Sequence, residues 1–256
     1  MAKAEIQNHQ EIFSIDRAKS KHDLKLVSSL MTVFPESSYK VILDSGYAVE
    51  ALTGGIISRN HSDLDLMLVV SQSEDITGIK QKFINVVNTL DTVKWVPLPS
   101  KTSWIWLREI SHETVPNPYQ LNTHILFSSG KSEAEGIIIN SGHPFFFPVE
   151  ERILTDQDGT KTRVLCPGLE YMLAAKIRLI EAYGNDPRPK DLLDMKRMMS
   201  ERRYSEPDCL RYLETFYVNR FLLSSEEAKE KASEQISMVK LKIQSNAETG
   251  RIFHHV

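Results

Sequence analysis

Cysteine is scarce. Cys166 and Cys209 are the only two in 256 residues, they lie far apart, and neither stands in a C-x-x-C pair. That excludes a disulfide framework and a zinc knuckle and fits a reducing compartment. Long apolar runs are missing too: no segment approaches the roughly 20 consecutive apolar residues that span a bilayer. The opening MAKAEIQNHQEIFSIDRAKSKHD is polar where a secretory leader needs an apolar stretch. The expectation is a cytoplasmic protein with no membrane association. Charge of one sign is not in excess either, since 31 Lys and Arg face 34 Asp and Glu and leave a formal charge of −3. No general field then draws nucleic acid or acidic lipid, which argues mildly against RNA, and recognition must reside in particular sites. No G-x-G-x-x-G follows a strand-like run, which argues against a Rossmann dehydrogenase. Internal repeats and low-complexity tracts are absent.

What is present is an ordinary globular composition, 41% hydrophobic and 25% charged, in a length suited to one or two domains. The front half alternates helical and strand-like patterns. Residues 16–34 read as a helix with Leu24, Val27, Leu30 and Met31 on one side, and YKVILDSG reads as a buried strand closed by glycine. YAVEALTGG reads as a short helix ending at Gly54-Gly55. DLDLMLVV is a strand, IKQKFINVVNTL an amphipathic helix, and TVKWVPL, SWIWLREI and QLNTHILF are strands. From Pro167 onward the pattern is helical: PGLEYMLAAKIRLIEAYG, PKDLLDMKRMMSERR and EPDCLRYLETFYVNRF precede a last helix that opens with Ser224 and Glu227 in capping-box spacing. The expected architecture is α/β (α+β): a domain over 1–160 with a mixed central sheet, and a helical domain over 161–256. The boundary is placed near the polar stretch TDQDGTKTR, Thr155 to Arg163.

The stretch DLDLMLVV carries two charges on a strand otherwise made for burial. Strand residues i and i+2 share a face, so Asp63 and Asp65 project together while Leu64 and Leu66 point the other way. Adjacent like charges repel, more so where water is partly removed. A cation answers this, and magnesium (or manganese) is the natural one because it takes one or two carboxylates plus phosphate oxygens and waters. The plainer alternative is a solvated strand mouth. Upstream, Ser45-Gly46 forms a tight turn opening a helix, with a hydroxyl and unobstructed N–H groups at a helix N-terminus, an arrangement suited to phosphate.

Together, SGYAVEALTGGIISRNHSDLDLML resembles the signature of the nucleotidyltransferase superfamily with the polymerase-β-type fold. It is most similar to the aminoglycoside 2″-adenylyltransferase-like group, in which a Gly-Gly-Trp-Ala turn and helix lead to Gly and then Thr-Arg-x-His-x-Asp-hydrophobic-Asp. The match runs through Gly46, Tyr47, Ala48, Gly54, Arg59, His61, Asp63 and Asp65. It covers about thirty residues, with weaker similarity through VLCPGLEYMLAAKIRLIEAYGNDPRPKDLLDM. The resemblance implies a nucleotidyltransferase fold followed by a helical domain, with magnesium on Asp63 and Asp65. ATP or another nucleoside triphosphate would lie over Ser45 and Gly46, and a nucleoside monophosphate would pass to an acceptor hydroxyl with loss of pyrophosphate. An aminoglycoside-like small molecule is the favoured acceptor, held in the cleft toward the helical half. The superfamily also modifies tRNA ends and proteins.

One departure bears on chemistry. The third acidic position of the family falls on Asn122, in YQLNTHILF; an amide oxygen can ligate magnesium but brings no charge and accepts no proton. Three readings stand side by side: Glu109 supplies the acid in another register, His124 on the face of Asn122 takes the proton, or the chain binds nucleotide without efficient transfer. In the last case it is a binding or regulatory module. Asp44, where related turns carry glycine, places a charge near the phosphates unless it points away. Arg59 suits a triphosphate contact or a surface ion pair, and His61 suits a loop-ordering hydrogen bond better than a metal ligand. From the helical half, Lys176 and Lys190 are the first candidates to reach the nucleotide, ahead of Arg178 and Arg188. Asp191 and Asp194 read as helix N-terminal charges that favour the dipole. Trp95, Trp104 and Trp106 alternate on strands and read as core.

Overall fold

The computed structural model describes residues 16–34, 39–71, 75–91, 93–100, 103–109, 119–133, 136–139, 145–182 and 184–248. Residues 1–15, and with them most of the polar opening segment, lie outside it, as do Thr92 and Ile110 at expected strand ends. The chain divides into two units, Met1–Pro167 and Gly168–Val256.

The first unit is α+β. Helix α1 (Arg17–Val33) starts where the Asp16 side chain accepts the Lys19 N–H, and it buries Leu24, Val27 and Leu30 together with Ser20 and Asp23. Strand β1 (Tyr39–Leu43) leads into α2 (Ser45–Leu52), and then follow β2 (Asp63–Ser71) and α3 (Ile76–Leu90). Helix α3 is capped by Asp75 and buries Ile79, Phe83 and Val87, one residue per turn. After it come β3 (Trp95–Leu98), β4 (Trp104–Glu109), β5 (Gln120–Glu133), β6 (Gly136–Ile139), β7 (Phe145–Thr155) and β8 (Lys161–Pro167).

The sheet is mixed because β2, antiparallel to β1, is parallel to β5. Strand β5 is long enough to hold two neighbours in succession, β4 along Gln120–His124 and β6 farther on, both antiparallel. Strand β3 lies outside β4, and β7 pairs β6 on one side and β8 on the other. The polar segment Thr155 to Arg163 is the tip and start of the β7–β8 hairpin, where the Asp156 carboxylate accepts the N–H groups of Asp158 and Thr160.

The second unit is helical: α4 (Leu169–Ala182), α5 (Pro189–Met199), α6 (Glu206–Phe221) and α7 (Ser225–Glu248). Proline opens α5, where its missing N–H costs nothing. Before α7, Ser224 and Glu227 form the reciprocal capping box: the Ser224 hydroxyl accepts the Glu227 N–H and the Glu227 carboxylate accepts the Ser224 N–H. Both cysteines are buried, and neither forms a disulfide. Among the described residues no helix is long and apolar enough to cross a membrane.

Candidate active site

Alternation along β2 sorts its side chains. Leu64, Leu66 and Leu68 on one face are at most 1% exposed, and the same side of the neighbouring strands presents Leu121, Ile125, Ile105 and Leu107, none above 2%. The other face carries Asp63 and Asp65, both half-buried, and closes over only farther along, where Met67 and Val69 are buried. Register completes this face: Asp63 lies beside Gln120, Asp65 beside Asn122 and Met67 beside His124. One strand farther, Arg108, Trp106 and Trp104 stand next to Gln120, Asn122 and His124.

Asn122 is therefore the residue opposite Asp65, and its Nδ2 donates to Asp65 Oδ1 at 3.0 Å. Glu109 has the parity of Ile105 and Leu107, so it belongs to the opposite face of β4 and does not supply a third acid beside Asp65. His124 shares the face of Asn122 and stacks on Trp104, with ring centroids 4.5 Å apart and planes 5° from parallel. Burial pulls its imidazole down to a pKa of about 4, a poor proton acceptor near neutrality. Trp104 and Trp106 depart from the core role read from alternation: they are half-buried on the acidic face, whereas Trp95 is 2% exposed and donates its Nε1–H to Asp91.

The turn sits directly against this strand. The Asp44 backbone N–H donates to the Asp65 carbonyl at 2.9 Å, continuing the β1–β2 ladder into the start of α2. Ser45 adopts φ 54°, left-handed space that a residue with a Cβ enters at a cost of about 1 kcal/mol or more. Asp44 holds it there, its Oδ1 accepting the Ser45 N–H at 2.7 Å. The carboxylate therefore does not point away from the turn; it takes the first amide that the anion-binding reading offers to phosphate. Gly46 has no room for a side chain: a Cβ would stand 2.7 Å from His61 Cε1 and 3.2 Å from Arg59 Nη2. The imidazole and the guanidinium thus both crowd the glycine.

Glu50, 2% exposed on α2, organises the loop that carries them. Its carboxylate accepts the Ser58 N–H and hydroxyl and lies 3.9 Å from Arg59 Nε and 3.4 Å from His61 Nε2. His61 is buried, with its ring 4.0 Å from that of Tyr47, consistent with loop ordering. Glu50 was not legible as a site residue, although a carboxylate in an otherwise apolar helix is a signal. Asp23 on the more polar helix α1, fully buried and bonded to Tyr47 and Tyr119, carried no such signal.

In the second unit Lys176 is 8% exposed, 3.0 Å from Asp194 Oδ2 and 3.4 Å from Asp191 Oδ1, while Arg188 Nε binds the other oxygen of Asp191 at 2.6 Å. Asp191 does stand in the first turn of α5, but both aspartates act chiefly as partners of a buried ammonium rather than of the helix dipole alone. Burial would raise the Asp191 carboxyl, yet the hydrogen bond from Arg188 and the charge of Lys176 hold it below its ordinary value. Lys190 is exposed, and Arg178 lies over the Phe216 ring.

No family model and no curated protein matches this chain. Among solved structures it is similar to MenT4, a nucleotidyltransferase toxin from Mycobacterium tuberculosis H37Rv, at 11% identity and a TM-score of 0.47, over 86% of this chain and 82% of that one. A protein from H. pylori whose description proposes it as a nucleotidyltransferase is similar at 12% identity and a TM-score of 0.44, over 91% and 98%.

Proposed function

We propose that the chain is a metal-dependent nucleotidyltransferase that passes a nucleoside monophosphate, AMP from ATP in the first instance, to a hydroxyl of a small acceptor. One observation carries this reading: two carboxylates share a half-exposed strand face, and the backbone of the strained Asp44–Gly46 turn is hydrogen-bonded to the residue bearing the second of them. Residues that could hold a metal and residues that could hold phosphate are neighbours by covalent and ladder geometry.

The donor set fits magnesium or manganese: hard carboxylate oxygens on Asp63 and Asp65, with room for phosphate and water oxygens. When bound, such an ion neutralises charge on the phosphates and orients them. Asn122 orients Asp65 by donating its Nδ2–H to Asp65 Oδ1. Because Asp44 occupies the Ser45 N–H, phosphate recognition falls mainly to the Gly46 N–H and to the Arg59 guanidinium, which packs with His61 where a Gly46 side chain would stand. Glu50 keeps Arg59 at that position. An aminosugar, being cationic, suits an acceptor site edged by Asp63.

The Asn122–Asp65 hydrogen bond also favours a second reading, nucleotide binding without efficient transfer, since the pair holds one proton donor and one carboxylate where the family uses two carboxylates. Incubation with Mg²⁺, each labelled nucleoside triphosphate and panels of aminosugars, tRNA and proteins separates the two. Transfer gives acceptor-dependent pyrophosphate release that Asp65→Asn removes; a binding module gives calorimetric affinity with no release. Neither affinity nor release from folded protein would refute both.

A further inference from the structure

Asp23 is fully buried on α1, in line with the apolar stripe of Leu24, Val27 and Leu30. Its two oxygens serve different elements. Oδ2 accepts the Tyr47 hydroxyl at 2.5 Å and lies 3.0 Å from Lys19 Nζ; Oδ1 accepts the Tyr119 hydroxyl at 2.7 Å and lies 3.5 Å from His22 Nδ1. Tyr47 follows Gly46 directly, and its ring rests on His61, which in turn abuts Gly46. Tyr119 immediately precedes Gln120, the register partner of Asp63, and stands three residues before Asn122. The charge of Asp63 acts on the Tyr119 hydroxyl, so the network lies within electrostatic reach of the acidic face. The amino end of the same helix also grips the intervening loop, the Asp16 N–H donating to Asn60 Oδ1 at 2.6 Å.

Burying a carboxylate with this many partners is seldom the most stabilising choice, because well-packed apolar residues at such sites are often equally good or better. What it adds is directional constraint. On the nucleotidyl-transfer reading, on which this inference rests, we infer that Asp23 is a positioning residue whose carboxylate couples the Ser45–Gly46 turn, through Tyr47, to the Asp65–Asn122 strand pair, through Tyr119. The turn and the acids then hold one fixed spacing, the one a metal-bound triphosphate needs to touch both. Neither tyrosine hydroxyl meets the ligand.

The test is a mutant cycle on Mn²⁺ with each of the four nucleoside triphosphates in turn, read by calorimetry. Tyr47→Phe and Tyr119→Phe each remove one oxygen, and circular dichroism with thermal melting checks the fold. Each single change is expected to weaken Mn²⁺·triphosphate binding about fivefold to tenfold, within the range of one lost hydrogen bond. Breaking either arm uncouples the two halves, so the double variant should be little weaker than the worse single one, and Asp23→Asn should make the two hydroxyls irrelevant to affinity. If the two losses multiply, or if melting falls while affinity stays at the wild-type value, Asp23 is a stability element and the proposal fails. Tyr variants that bind like wild type while Asp65→Asn does not bind would overturn this inference alone. Wild-type protein that binds neither Mn²⁺ nor any triphosphate would overturn the transferase reading with it. Should Asp23→Asn not fold, the two tyrosine variants and their double still decide the matter.

Discussion

Strand β2 has two faces, and they obey different rules. On one, Leu64, Leu66 and Leu68 join Leu121, Ile125, Ile105 and Leu107 in a core with almost no exposure. On the other, one residue out of phase, Asp63 and Asp65 stand beside Gln120 and Asn122 with Arg108 and Trp106 beyond. A single strand thus buries apolar side chains on one face and offers charges on the opposite side at fixed spacing. The leucines anchor the strand and, on the proposed reading, the aspartates supply the chemistry; a strand fixes two neighbouring anions more precisely than a loop would.

The largest separation between the faces should come from Asp65→Asn. Acceptor-dependent pyrophosphate release is expected to fall by about 10² to 10³, as for loss of one preorganised electrostatic group, while the melting temperature holds within a few degrees. Leu66→Ala should do the reverse, costing about 2–5 kcal/mol in urea unfolding, because the sheet cannot collapse around the void. Equal damage to stability from both changes would dissolve the comparison. Asn122→Asp sharpens it from the acidic side by adding a third carboxylate: Mn²⁺ affinity and pyrophosphate release should both rise, by about tenfold for each 1.4 kcal/mol gained. A fall would mean the amide hydrogen bond to Asp65 matters more than the missing charge. Gly46→Ala should weaken triphosphate binding about tenfold, measured by calorimetry, since the methyl displaces His61 and Arg59.

The smallest expected effect is on pH dependence. A hydrogen bond to Asp23, together with Asp91, outweighs burial and raises His22 to about 9. A raised folded-state value means the stabilisation is complete below the ordinary imidazole value of about 6.5 and is lost as pH rises through about 9. The Asp23 carboxyl moves the other way. Burial would lift it, but His22, Lys19, Tyr47 and Tyr119 together hold it below its ordinary value, so its contribution is lost on acidification. Melting temperature should therefore decline between pH 6.5 and 9.5 in the wild type. The His22→Gln variant should lose most of that slope, and an unchanged slope would show that His22 does not titrate with folding.

Much of the acidic face is legible from residue order. Period-two alternation places Asp63 and Asp65 together, and the order of elements identifies the strand of Asn122 as their neighbour, with Asp65 and Asn122 paired in the observed register. Caps are legible for a similar reason: Ser224 and Glu227 need only a spacing of three. The misses are long-range. Tyr119 is 96 residues from Asp23, and nothing local distinguishes its hydroxyl from any other. Strand alternation groups Trp104 with Trp106 but does not say whether their shared face is covered, and here they share the half-exposed face with Asn122. Lys176, read as a first candidate to reach the nucleotide, is instead buried against Asp191 and Asp194, contributed by the next helix, a pairing that helical spacing within its own segment does not reveal.

The sequence by itself determined which side chains share a face, where helices begin and end, and that two anions must sit together on a strand, because these follow from backbone periodicity and local hydrogen bonding. Only the tertiary structure decided that Asn122 bonds Asp65, that Glu109 faces away, that Asp44 closes its own turn and that Asp23 ties the turn to the strand. Those outcomes depend on which distant groups come within about 3 Å of one another, and that is settled by packing rather than by spacing along the chain.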